Sequence, residues 1–204
     1  MLVALGAEAA TCTRCPLAAG RTQVVFGVGH PDADLLFVGE GPGAEEDLRG
    51  EPFVGRSGQL LDKLVWEELG LRRDAFYIAN VVKCRPPGNR DPHPDEIAAC
   101  SPYLFEQIEL IRPKVVVTLG NFSTRLLLDR TEGISKLRGS TYRFSAGGQL
   151  GKAVLVPTFH PAAALRGGGA MVAEMRADLI RAKEAIAAAR AVTDSDRATS
   201  GGEA

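Results

Sequence analysis

The 204-residue chain predicts an α/β fold, a parallel sheet covered by helices on both faces. Three observations predict it. Short, wholly apolar runs alternate with segments of helical periodicity. Several of those runs end on a glycine or a polar turn residue, as strands buried on both sides do. A hydrophobic content of 45% with 24% charge is that of an ordinary globular chain long enough to bury a real core.

The elements follow in order. Leu35 to Gly39 (LLFVG) reads as a buried strand. Leu60, Leu61, Leu64, Val65 and Leu69 recur at helical spacing, and Gly70 is a plausible stop. Phe76 to Val82 reads as a second strand. Pro94 to Ile111 is helical in character, with Pro102 expected at a break or a first turn. Lys114 to Leu119 (KVVVTL) is a third strand, closed by Gly120 and followed by a short helix through Leu128. Thr141 to Phe144 is a candidate strand before a Gly147-Gly148 turn, and Ala153 to Pro157 (AVLVP) is another strand. Ala170 to Ala189 is a long helix. Residues 1–190 thus form one domain, and the small, polar, aperiodic residues 191–204 are expected to be a disordered tail.

Composition excludes some classes. No apolar run approaches the roughly eighteen residues of a membrane span, and Met1 to Ala10 has no basic region of the secretory kind. A cytoplasmic location is expected. The net charge of −1 gives no global nucleic-acid signature, so any such contact must come from local patches. The candidates are Lys83, Arg85 and Arg90, then Lys136, Arg138 and Arg143, then Arg166.

The cysteines number four: Cys12 and Cys15 in a C-x-x-C pair, then Cys84 and Cys100. In a reducing compartment a set of four thiolates reads as a metal or cluster site rather than as disulfides. The loose second pair favours an iron–sulfur cluster over zinc, with zinc still open on spacing alone.

Open α/β sheets bind ligands at the carboxyl ends of their strands. Gly39-Glu40-Gly41-Pro42-Gly43 follows the first strand, Asn80 ends the second, and His160-Pro161 follows AVLVP. A carboxylate, an amide and an imidazole therefore converge on one sheet edge. The glycine-rich turn is no phosphate loop: it lacks Gly-Lys-Ser/Thr, and its acidic residues through Asp47 would repel phosphate. In Glu51-Pro52-Phe53-Val54-Gly55, Phe53 is an aromatic able to stack on a flat ligand.

Together these residues resemble the family 4 uracil-DNA glycosylases, the iron–sulfur branch of the uracil-DNA glycosylase superfamily. The resemblance rests on the two-plus-two cysteines, GEGPG with its acidic run, Pro52-Phe53-Val54-Gly55, Asn80 followed by Val82-Lys83-Cys84-Arg85-Pro86-Pro87, and His160-Pro161-Ala162, over roughly Cys12 to Ala189. It implies a three-layer α/β/α sandwich on a central four-stranded parallel sheet. It implies a [4Fe–4S] cluster on Cys12, Cys15, Cys84 and Cys100. It implies a base-excision-repair enzyme that hydrolyses the N-glycosidic bond of deoxyuridine and leaves an abasic site.

The same resemblance implies the roles. Phe53 would stack on an extruded uracil, Asn80 would read its O4/N3 edge, and Gly39, Glu40 and Gly41 would line the base. Glu46 would crowd out a 5-methyl group. His160 would donate to uracil O2 as charge builds there, and Glu40 would position water or favour the cationic sugar. Leu165 would wedge into the DNA with Arg166 beside it. The partner implied is uracil-containing DNA, single- or double-stranded, in a bacterial or archaeal nucleoid. A monomer is expected, with a sliding-clamp contact left open. His93 reads as a loop histidine rather than the nucleophile of a covalent-trapping branch. The alternative function is a non-turnover or covalent uracil-DNA binding protein of the same superfamily.

Overall fold

The computed structural model describes residues 1–143 and 153–200, with side chains through Val192. Its centre is a six-stranded sheet. The strands are β1 (Val28–Gly29), β2 (Leu35–Gly39), β3 (Tyr77–Asn80), β4 (Val115–Leu119), β5 (Tyr142–Arg143) and β6 (Val154–Thr158), in the order β1-β3-β2-β4-β6-β5. The four inner strands β3, β2, β4 and β6 are parallel, as expected. The two-residue strands β1 and β5 add an antiparallel rim at either edge, so the sheet as a whole is mixed. The residues Phe144, Gly147 and Gly148 of the expected strand and turn lie outside the described residues.

Inner strands are apolar on both faces because both are covered. Leu36 and Val38 of β2, Ala79 of β3, Val116 of β4 and Leu155 of β6 face one cluster. It is completed by α1 (Leu2–Ala10), α4 (Pro94–Ile111) and α5 (Asn121–Leu128) through Leu5, Leu104, Ile108 and Leu127. The alternate residues Leu35, Phe37, Ile78, Val115, Val117 and Val156 face a second cluster. That layer is α3 (Arg56–Leu69), α7 (Pro161–Gly167) and α8 (Gly169–Ser200), through Leu61, Leu64, Ala164, Met175 and Leu179. Two short helices, α2 (Ala44–Arg49) and α6 (Ile134–Leu137), sit in the connections. The result is the three-layer sandwich.

Helix ends follow local chemistry. Gly70 ends α3 in the left-handed conformation at φ 70°, as the sequence suggested. Pro94 opens α4, and the Glu96 carboxylate accepts from the His93 N–H at 2.8 Å. Pro102 causes no break. It lies inside α4, where it removes one backbone bond from a helix held by its buried face. The α1 helix was not anticipated, and α8 runs to Ser200, past the expected start of a tail at residue 191. Four alanines in α1 favour helix there. No helix among the described residues is long and apolar enough to cross a membrane.

Candidate active site

Between β2 and β4 the chain order reverses, β3 lying to one side and β4 to the other. At the carboxyl ends of the inner strands, beside this switch point, lies a cavity of about 580 Å³. Glu40 and Gly41 enter it from β2, Asn80 from β3, Gly120 and Asn121 from β4, and Phe159 and His160 from β6. The turn after β2 is pinned to the chain after β3: the Val81 and Val82 N–H groups donate to the Gly39 and Glu40 carbonyls, each at 3.0 Å.

Asn80 is buried, and among the described residues its Oδ1 accepts no hydrogen bond. An orphaned buried acceptor costs free energy until a ligand donor reaches it. Gly39 is required by this arrangement. A Cβ there would sit 2.4 Å from Asn80 Oδ1 and 2.6 Å from the Phe53 ring. Phe53 itself adopts φ 56°, left-handed backbone that a residue with a Cβ rarely takes. Its ring lies 5.6 Å from the His160 imidazole, centroid to centroid, so the two rings wall one side of the cavity.

His160 caps α7. Its Nδ1 accepts from the Ala162 N–H at 3.2 Å, which assigns the imidazole proton to Nε2. Burial, with the Arg166 charge adding to it and Glu46 opposing, pulls its pKa to about 4. The ring is therefore neutral at pH 7, a donor at Nε2. Glu40 is shifted the other way: burial, reinforced by Asp91, raises its pKa to about 7. Two titratable groups in one cavity are thus driven apart in opposite directions.

Glu46 lines the cavity, yet its carboxylate is committed. Oε2 accepts from the Gly43 N–H at 3.1 Å, and Oε1 accepts from the Val54 and Gly55 N–H groups at 3.0 and 2.9 Å. It ties the glycine-rich turn to the Phe53 loop. Arg166 lines the cavity, while Leu165 is 44% exposed next to it, outside the cavity lining.

Three of the seven candidate basic residues are used within the protein. Lys83 is 1% exposed; its Nζ donates to the Asn80 carbonyl at 2.8 Å and to Gln107 Oε1. It is a buried strut, because its short connection from β3 turns it inward. Arg90 forks onto the Glu96 carboxylate at 2.7 and 2.8 Å, and Arg138 bonds the buried Asp178 at 3.0 Å. Arg85, whose Nε donates to Asn89 Oδ1 at 2.7 Å, is half-exposed, and Lys136, Arg143 and Arg166 are exposed.

The four cysteines, all free, line one small pocket together with Arg14, Arg21, Lys83 and Tyr103. Amide or guanidinium N–H groups point at three of the sulfurs: Lys83 N to Cys100 at 3.2 Å, Arg14 N to Cys12 and Arg21 Nη1 to Cys84 each at 3.5 Å. Among the described residues no three acidic, histidine or cysteine side chains close on a single ion. Burial raises the Cys100 thiol to about 11, against the opposing Lys83 charge, and raises Cys84 too. Four free thiols lining one space, three of them approached by N–H donors, fit a thiolate-ligated cluster.

Sequence reasoning missed several cavity residues, Asn89, Asp91 and Asn121 among them. Asn89 and Asp91 sit on the loop after β3, and Asn121 follows β4, where its Oδ1 accepts from the Ile134 N–H at 2.8 Å. The strand-end rule that found Glu40, Asn80 and His160 applies equally to the Gly120-Asn121 step. His93 is exposed and absent from the cavity lining.

A family model described as the uracil DNA glycosylase superfamily matches residues 26–182. A type-4 uracil-DNA glycosylase of Sulfurisphaera tokodaii is 49% identical over 162 residues, 78% of this chain and 73% of that protein. One from Thermotoga maritima is 50% identical over 156 residues, 76% of this chain and 78% of its own length. One from Archaeoglobus fulgidus is 44% identical over 162 residues, 78% and 80% of the two chains.

Proposed function

The chain belongs to the uracil-DNA glycosylase superfamily, and from that membership we propose that it is a DNA-repair uracil-DNA glycosylase, hydrolysing the N-glycosidic bond of deoxyuridine in DNA. The observation that carries this reading is the pairing in one cavity of an unpartnered Asn80 amide oxygen with a neutral His160 and a proton-accepting Glu40.

The uracil, extruded from the stack, lies against the Phe53 ring. Asn80 Oδ1 accepts from N3–H and its amide donates to O4. Cytosine presents the reverse pattern there and would leave the buried amide unpaired. As the C1′–N1 bond breaks, its electron pair passes into the uracil ring and negative charge gathers on O2. The His160 Nε2–H donates to that oxygen without carrying a full charge into a buried site. The sugar develops cationic character. Ionised Glu40 favours it and takes a proton from the attacking water, whose oxygen bonds to C1′. Arg166 and Leu165 meet the DNA at the cavity mouth. The Glu46 carboxylate serves this site by fixing the Phe53 loop and narrowing the cavity beside it.

Cys12, Cys15, Cys84 and Cys100 would hold a [4Fe–4S] cluster, which when bound ties the N-terminal segment to α4 and the loop after β3. No step of the reaction needs it.

The test is single-turnover cleavage of an oligonucleotide bearing one uracil, followed by alkaline scission, alongside an absorbance scan for a band near about 400 nm typical of thiolate-bound iron. Release of uracil with the band present supports the reading. Iron-loaded protein that leaves the strand intact overturns it.

A further inference from the structure

Phe53 is held from behind, on the side away from the cavity. Arg73 lies in the short 3₁₀ turn Arg73–Ala75 that leads into β3. Its Nη1 donates to the Pro52 carbonyl at 2.8 Å, and its Nη2 donates to the Phe53 carbonyl. Its Nε donates to Asp62 Oδ1 of α3 at 2.7 Å. Neither Arg73 nor Asp62 lines the Glu40–His160 cavity; both line a separate groove behind the Phe53 loop.

The next peptides are held from the opposite side, where Glu46 accepts from Val54 and Gly55. Gly58 completes the arrangement, since a Cβ there would lie 1.7 Å from the Phe53 carbonyl oxygen. A left-handed phenylalanine is disfavoured unless its surroundings over-determine it. Here the carbonyls before and at Phe53 are gripped by one cation and the N–H groups after it by one anion.

We propose that Arg73, aimed by Asp62, is a positioning residue that sets the plane of the Phe53 ring and so the enzyme's hold on the flat base. This rests on the reading of Phe53 as the stacking wall. A planar guanidinium reaches two carbonyls and a carboxylate at once. A lysine ammonium is a single point on a shorter reach and cannot span all three.

The test compares wild type, Arg73→Ala, Arg73→Lys, Phe53→Ala and the Arg73→Ala/Phe53→Ala pair. It measures kcat and KM on the single-uracil oligonucleotide, inhibition by free uracil, and melting temperature. The expected result for Arg73→Ala is about tenfold weaker inhibition by uracil, with KM raised more than kcat is lowered. Arg73→Lys should fall between. On the Phe53→Ala background the Arg73 change should add less than about twofold, because its effect passes through that ring. Fully additive losses, or unchanged uracil inhibition in a folded Arg73→Ala protein, overturn the inference. Should Arg73→Ala not fold, Asp62→Asn keeps the guanidinium, frees its aim and is read by the same two measures. Wild-type protein that releases no uracil overturns the activity and this inference together, whereas active wild type with insensitive variants overturns the inference alone.

Discussion

Glu40 and His160 share a cavity and are pushed in opposite directions by the same burial, because one is charged when deprotonated and the other when protonated. With Glu40 near 7 and His160 near 4, the carboxylate and neutral imidazole that the proposed mechanism requires are both present as pH rises through 7. The single-turnover rate should therefore climb with an apparent pKa near 7, and Glu40→Gln should flatten that limb and lower the plateau. Stability runs the other way for Glu40. Its folded pKa lies above the usual 4.5, so the folded state holds the proton better, and that advantage vanishes as pH rises through 7. Glu40→Gln should accordingly melt a few degrees higher than wild type at pH 8, with the gap closing by pH 4. A melting series across that range checks the sign.

The elements that deliver these residues differ in how they are fixed. The far end of the loop after β3 is tied to α4 by an ion pair: Arg90 forks onto Glu96, which is 1% exposed and also caps α4 through His93. Interaction with that guanidinium, aided by the His93 N–H, draws the Glu96 pKa down to about 2. Glu96→Ala should fray the start of α4 and release Asn89 and Asp91 from the cavity wall. The expected loss is about 2–4 kcal/mol of stability, read by denaturant unfolding, with activity reduced further than the melting shift explains. The inner strands and α4 were legible in the sequence because burial on both faces forces unbroken apolar runs. The glycine-rich turn and His160-Pro161 were legible for a related reason, since each directly follows such a run. The Arg73 fork was not, because its partners are main-chain carbonyls, which carry no residue identity. Nor was the interior fate of Lys83 legible: a lysine beside an arginine reads as surface charge until the chain's path shows Gln107 and the Asn80 carbonyl around its ammonium.

Across the whole molecule, the chain assembles the cavity from pieces as distant as Glu40 and Arg166, and the cysteine pocket from Cys12 to Cys100. With a net charge of −1, encounter with DNA cannot lean on an overall field, so binding should depend on few phosphate contacts and weaken only gently with salt. The cavity draws on all four parallel inner strands, each lending its last residues. No fragment of the sheet holds the whole site, so a half-assembled intermediate cannot turn over substrate. In a urea titration, turnover and far-ultraviolet ellipticity should then vanish at a common midpoint, which makes the enzyme a reporter of its own folding.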